Sequence, residues 1–114
     1  NMKAELLAAQ ASQAETMLKA LANRSRLMIL CDLYGGERSV SELCAALDLS
    51  QPTLSQHLAR LRADGLVHTR REAQKICYSL AGPGVERMIG LLHDMFCAGA
   101  CAVPAPTQGK GKIK

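Results

Sequence analysis

Aromatic side chains are almost missing from this 114-residue chain: it has Tyr34, Tyr78 and Phe96, and no tryptophan. Single strands of nucleic acid are commonly held by stacking bases on such rings, so that mode of binding is disfavoured. No apolar run reaches the ~20 residues that a membrane-spanning helix needs. The one near the C-terminus is interrupted by His93 and Asp94, then by Pro104 and Pro106. Neither a Cys-x-x-Cys motif nor a paired acid/base constellation is present, so no enzyme class finds support. A secretory leader is not visible either. The five cysteines, Cys31, Cys44, Cys77, Cys97 and Cys101, are an odd number and a poor basis for a disulfide framework. A reducing cytoplasm is the expected compartment, where a placed cysteine is more often reactive or metal-binding than bridged.

What is present suits one small domain, with 48% apolar residues to build its core. Lys and Arg number 14 against 10 Asp and Glu, a formal charge of +4. That excess is localised. Between Ser50 and Lys75, the bases Arg60, Arg62, Arg70, Arg71 and Lys75 outweigh Asp64 and Glu72. A second basic cluster, Lys110, Lys112 and Lys114, lies in the tail, and the rest of the chain is slightly acidic. The composition of residues 102–114 reads as a disordered basic tail, leaving 1–101 as the folded domain.

Helical signals dominate. Residues 3–22 are rich in Ala, Leu and Glu, with Leu7, Ala11, Ala14, Leu18 and Leu21 at helical spacing. One long helix cannot bury that stripe alone; packing against the body or a partner subunit is needed. Asn23 is placed to cap a second helix, Arg24 to Tyr34, ended by Gly35-Gly36, with Leu27, Leu30, Cys31 and Tyr34 on its inner face. Ser39-Val40-Ser41-Glu42 is a capping box that starts a third helix, with Val40, Leu43, Cys44 and Leu47 inward. After a short break, a fourth helix begins at Pro52 or Thr53, capped by Ser50 or Gln51, with Leu54, Leu58 and Leu61 inward and Gly65 at its end. Residues 66–80 read as two strands around a Glu72-Ala73-Gln74 tip. Ile76, Tyr78 and Leu80 alternate inward and Cys77 is expected to be partly exposed. Gly82-Pro83-Gly84 breaks the chain. A last helix from about Val85 to Cys97 carries Val85, Met88, Ile89, Leu92 and Phe96 inward. The fold class is mostly α with a small β-hairpin: five helices, and a two-stranded wing between the fourth and fifth.

A helix, a short turn, a second helix and a basic hairpin suit double-stranded DNA, because a helix-turn-helix lays its second helix in the major groove. With Leu54 inward, Thr53, Gln56 and Arg60 fall on the opposite arc, and Ser55 and His57 flank it. Gln and Arg have planar ends that read adenine and guanine edges. Ser50, Gln51 and Thr53 lie at the helix start, where backbone N–H groups favour a phosphate. Arg70, Arg71 and Lys75, on or beside the hairpin tip, are placed to neutralise the DNA backbone.

The stretch ELCAALDLSQPTLSQHLARLRADGLVHTRREAQKICYSL, with LKALANRSRLMILCDLYGGERSVSEL before it, resembles the winged helix-turn-helix of the ArsR/SmtB repressor family over roughly residues 17–97. The resemblance implies a homodimer formed by the first and last helices. It also implies binding to a palindromic operator, and release of that operator when an inducer is sensed.

Inducer sites vary within that family. The arsenite-sensing type carries a Cys-Val-Cys-Asp-Leu-Cys motif where this chain has Ser39-Val40-Ser41-Glu42-Leu43-Cys44; a single thiol cannot form a trigonal thiolate site. The zinc-sensing type places Asp and His ligands on the last helix, where only Glu86, His93 and Asp94 stand here, so no metal site is expected there. The subgroup that senses reactive sulfur (BigR-, SqrR- and HlyU-like proteins) has one cysteine in the second helix and another at the end of the last. Met28-Ile29-Leu30-Cys31 and Met95-Phe96-Cys97 match both positions. The resemblance therefore implies that Cys31 and Cys97 form a redox-sensing pair responding to a persulfide or polysulfide, with no cofactor. Cys101 is a candidate accessory thiol, and a metal or metalloid held by Cys97 and Cys101 is the competing reading.

Overall fold

The computed structural model describes residues 2–96. Eight elements follow in order: α1 (Met2–Leu21), α2 (Arg24–Tyr34), β1 (Arg38–Ser39), α3 (Val40–Leu47), α4 (Gln51–Ala63), β2 (Val67–Glu72), β3 (Lys75–Leu80) and α5 (Pro83–Phe96). They fall into two compact units that part between Ala81 and Gly82. The expected fold class, five helices and a winged helix-turn-helix, is the observed one.

The helix boundaries follow from local chemistry. Asn23 is extended and its side chain accepts from the Arg26 backbone N–H at 3.0 Å, so α2 starts where a cap was expected. The Arg26 guanidinium turns back and donates through Nε to the Ala20 carbonyl at 2.6 Å and through Nη2 to the Lys19 carbonyl at 3.3 Å. Arg26 thus donates to the Asn23 cap of α2 and also supplies donors to carbonyls at the end of α1. At α3, Ser39 Oγ accepts from the Glu42 N–H at 3.2 Å, and the Glu42 carboxylate accepts from the Ser39 N–H at 2.8 Å. This capping box holds the Glu42 carboxyl below the usual carboxylate range, chiefly through the bond from the Ser39 backbone. Asp48 closes α3 in the left-handed region. Ser50 caps α4, which begins at Gln51, one residue before the expected start.

Leu54, Leu58 and Leu61 are fully buried, as their spacing predicts. With Ile29, Leu30, Leu43 and Leu66 they make the centre of the core of residues 2–81. On α2, however, Ile29 and Leu33 share the buried face with Leu30, while Cys31 and Leu27 are half-buried and Tyr34 is exposed. The expected face was turned because α2 is contacted from several sides, by α1, α3, α4 and β3, so its buried arc is wider than one stripe. The stripe on α1 is buried only at its end, at Leu21, and Leu7 and Leu18 stand exposed.

Sheet order is β1-β3-β2, all antiparallel. The hairpin pairs Val67 with Leu80 through to Glu72 with Lys75. A third strand, β1, adds Arg38 opposite Tyr78 and Ser39 opposite Cys77. It extends the expected two-stranded wing, and at two residues it is too short to show a period. It also makes β3 the central strand. The phase near the tip is the reverse of the expected one, because α2 and α3 pack on the other face: Cys77 is 7% exposed and Ile76 42%. Cys77 lies between Ser39 and Arg70 on the neighbouring strands, and β3 packs against α2 and α3.

The hairpin turns on Ala73-Gln74, with Ala73 at φ 57°. A side chain in the left-handed region costs roughly 1–2 kcal/mol, which glycine avoids at a smaller cost in unfolded-chain entropy. Ala73→Gly is therefore expected to stabilise the protein by about 1 kcal/mol. Thermal unfolding checks this, and an unchanged or lower melting temperature contradicts it.

The second unit is described by α5 alone. Pro83 opens the helix and Gly82, at φ 115°, makes the break. Val85 and Ile89 are buried, and Met88 and Leu92 half-buried, as expected. Phe96 is 72% exposed, as are Leu91 and Met95 in lesser degree, so the expected inward Phe96 is corrected. Among the described residues nothing covers the end of that helix face. No described helix is long and apolar enough to cross a membrane.

Candidate nucleic-acid interface

One face of α4 is fixed and the other is offered to solvent. The fixed face is Leu54, Leu58 and Leu61, locked in the core. Thr53, Gln56 and Arg60 are exposed on the opposite arc, as are Ser55, Ala59 and Ala63. His57 is half-buried at the edge of the arc, the flanking place its spacing predicts. At the helix start, the Ser50 hydroxyl accepts from the Thr53 N–H at 3.3 Å and donates to the Thr53 hydroxyl at 2.9 Å. Gln51, beside them, is exposed. The turn from α3 to α4 spans only Asp48-Leu49-Ser50, which gives the helix-turn-helix its tight corner.

Arg60 is not idle in the absence of DNA. Its Nε donates to Asp64 Oδ2 at 2.8 Å, one turn on, with about half the arginine side chain exposed. Exposed pairs of this kind contribute about 0–1 kcal/mol, so a guanine edge can replace the carboxylate at small cost.

The wing cations fall into two kinds. Arg71 and Lys75 are exposed and make no ion pair within the described residues. Arg70, by contrast, donates through Nε and Nη2 to the two carboxylate oxygens of Glu37, at 3.0 and 2.7 Å. Nη2 also approaches Glu72 Oε1 at 3.5 Å. The Arg70 guanidinium holds the Glu37 carboxyl below the usual carboxylate range, and Glu37 in turn holds Arg70 more firmly protonated. Glu37 follows the Gly35-Gly36 turn and is itself steadied. Its carbonyl accepts from Arg38 Nη1 at 3.2 Å, and Arg38 Nε faces Asp32 Oδ2 at 3.4 Å. That Asp32 oxygen is shut away from water.

Glu37 is the residue that sequence reasoning missed. It stands 33 positions from Arg70, and only the antiparallel layout of the wing beside the end of α2 brings the two together. Counted along the chain, the stretch from Ser50 to Lys75 has two acids against five bases; in space a third acid joins them.

A groove of about 630 Å³ opens between the start of α3, the start of α4 and the wing tip, bordered by Val40, Ser41, Cys44, Gln51, Lys75 and Ile76. Among the described cysteines, Cys31 and Cys44 are half-buried and Cys77 is buried. Cys97, Cys101 and the basic tail lie outside the described residues. Among the described residues no three His, Cys, Asp or Glu side chains gather as a metal site would require.

A family model described as bacterial regulatory protein, arsR family, matches residues 17–69. The transcriptional activator HlyU of Vibrio cholerae serotype O1 is 55% identical over 86 residues, covering 75% of this chain and 80% of its own. The structure of reduced HlyU from Vibrio cholerae N16961 superposes with a TM-score of 0.78 at 50% identity, over 82% of this chain and 98% of that one. The biofilm growth-associated repressor of Agrobacterium fabrum is 51% identical over 89 residues, 78% of this chain and 76% of its own. A Mycobacterium bovis protein, Mb0332, whose fragment 1–100 is described as a homodimeric winged helix-turn-helix DNA-binding domain, matches with a TM-score of 0.73 at 36% identity, over 82% and 86% of the two chains.

Proposed function

From the premise that the chain belongs to the arsR family of bacterial regulatory proteins, and is a DNA-binding transcriptional regulator, we propose a homodimer that holds operator DNA until reactive sulfur joins Cys31 to Cys97. The observation that carries the DNA part is the two-faced α4. Its leucines are immobilised, and its outer arc presents Thr53, Gln56 and Arg60. Ser50, Gln51, Ser55 and His57 supply contacts around that arc, and the wing lies beside it. The dimer is supported by apolar side chains left uncovered in one chain: Leu7 and Leu18 on α1, and Leu91, Met95 and Phe96 on α5. Burying such side chains is worth about 1.5–3 kcal/mol each, enough to favour a second copy. The homodimeric description of the Mycobacterium bovis domain points the same way.

The sensing step balances as follows. A persulfide R–S–SH transfers its outer sulfur to the Cys31 thiol, leaving R–SH and Cys31–S–SH. The Cys97 thiolate then attacks the Cys31 sulfur, the S–SH bond breaks, hydrogen sulfide leaves, and a disulfide joins the two residues. The persulfide is reduced and the two thiols are oxidised. A covalent tie between α2 and the residue that follows α5 in the chain then acts on the dimer seam. Because half-sites recur about 34–36 Å apart, a small change in subunit geometry weakens binding. Cys101 serves as the accessory thiol in this scheme.

Glutathione persulfide added to the reduced protein is expected to give an intact mass lower by the two thiol hydrogens, a Cys31–Cys97 peptide on digestion, and release of promoter DNA. Cys31→Ser should show none of these. An unmodified mass with unchanged DNA affinity rejects the sensing reading. A stoichiometric metal that releases DNA from protein purified under reducing conditions would replace it with a metalloregulatory one.

A further inference from the structure

We propose that Glu37 decides what Arg70 does on DNA: it makes Arg70 a strut that sets the wing, and leaves phosphate neutralisation to Arg71 and Lys75. The inference rests on the reading that the wing meets the DNA backbone, and it reassigns one of that reading's three wing cations.

The geometry is a fork. Arginine Nε and Nη2 lie in one plane and match the two oxygens of a carboxylate, which makes the pair directional as well as attractive. Both bonds are made, at 3.0 and 2.7 Å, and Glu72 Oε1 stands 3.5 Å from the same Nη2. Arg70 therefore faces two carboxylates, and the three groups together carry a net negative charge. A phosphate approaching them meets that negative charge, and cannot take the forked face of the guanidinium without displacing Glu37.

The Arg70–Glu37 pair is about as exposed as that of Arg60 with Asp64, but it is forked where Arg60 makes one bond, so displacing it breaks two bonds. The backbone that carries Glu37 is itself tied down: its carbonyl accepts from Arg38, which is paired to Asp32 on α2, so the strut runs from β2 to the body of the domain. Arg71 has the opposite disposition. Strand alternation sends it to the other face of the hairpin from Arg70, it is exposed, and no carboxylate pairs with it among the described residues. Lys75 is likewise exposed, on the strand after the turn.

Counterion release separates a neutralising cation from a strut, because each phosphate neutralised adds about 0.9 to the slope of log K against log salt. The readout is that slope on a mixed-sequence DNA duplex, where affinity is electrostatic and no operator need be known. Arg71→Ala is expected to lower the slope by about 0.9 per subunit, and Arg70→Ala to leave it unchanged. Glu37→Gln, which removes the carboxylate charge and breaks the fork, is expected to raise it by about 0.9, because Arg70 is released to a phosphate. Arg70→Ala made on top of Glu37→Gln should then remove that gain. A merely structural role for Glu37 does not move the slope upward. Equal losses for Arg70→Ala in both backgrounds, with no gain from Glu37→Gln, overturn the proposal while leaving the wing on DNA. If Arg71→Ala also has no effect, the wing reading itself falls, and the proposal with it.

Discussion

Leu58→Ala is expected to destabilise the protein by about 2–5 kcal/mol, the range for emptying a fully buried leucine site. Leu58 is 1% exposed and lies at the middle of α4, between Leu54 and Leu61, both 0% exposed. The lost methine and two methyl groups remove transfer energy, and the cavity adds to the loss because the surrounding leucines close only partly. For a domain of this size, a total stability of about 5–15 kcal/mol makes that a large fraction. The effect reaches DNA binding indirectly, since α4 presents its outer arc only while its inner face is anchored. Chemical denaturation measures the loss directly. A change below about 1 kcal/mol would mean that the site collapses freely and that α4 is held elsewhere.

Arg60→Ala is expected to weaken binding to the selected operator by about 1–3 kcal/mol per half-site, the worth of one good bidentate contact to a base. The loss should be confined to one base position per half-site, and discrimination at that position should relax. Breaking the Arg60–Asp64 pair contributes little to this, because an exposed pair contributes about 0–1 kcal/mol. Operator selection from a random duplex library, followed by affinity measurement with wild type and variant, tests it. A uniform loss across all sequences would place Arg60 on a phosphate instead of a base edge.

The two predictions differ in how much of their basis was legible beforehand. The inner face of α4 is a matter of period: leucines at 54, 58 and 61 share one side of a helix whatever surrounds it. Its outer arc follows by subtraction, so Thr53, Gln56 and Arg60 were placed correctly from the chain alone. His57, which flanks that arc, is half-buried while Ser55 on the other flank is exposed, because a residue at the border of an arc is buried or exposed according to its neighbours. Arg70 was placed on the wing correctly, but its partner was invisible. Along the chain it is one of five bases in a basic stretch, and Glu37 lies at a turn between other elements.

The same contrast runs through the fold. The Asn23 cap, the Ser39–Glu42 capping box and the Ser50 cap join atoms no more than three residues apart, so sequence order alone brings them together. These determined where the helices begin, and leucine spacing determined which side of α4 is inward. Which side of β3 is inward near the hairpin tip was decided only when α2 and α3 packed against it, which buried Cys77 and left Ile76 exposed. The buried arc of α2 was likewise set by four packing neighbours, and the role of Arg70 by a carboxylate 33 positions away. Short-range hydrogen bonds and helical period are properties of a segment. Burial and ion pairing depend on what a distant segment brings, and only the assembled tertiary structure supplies it.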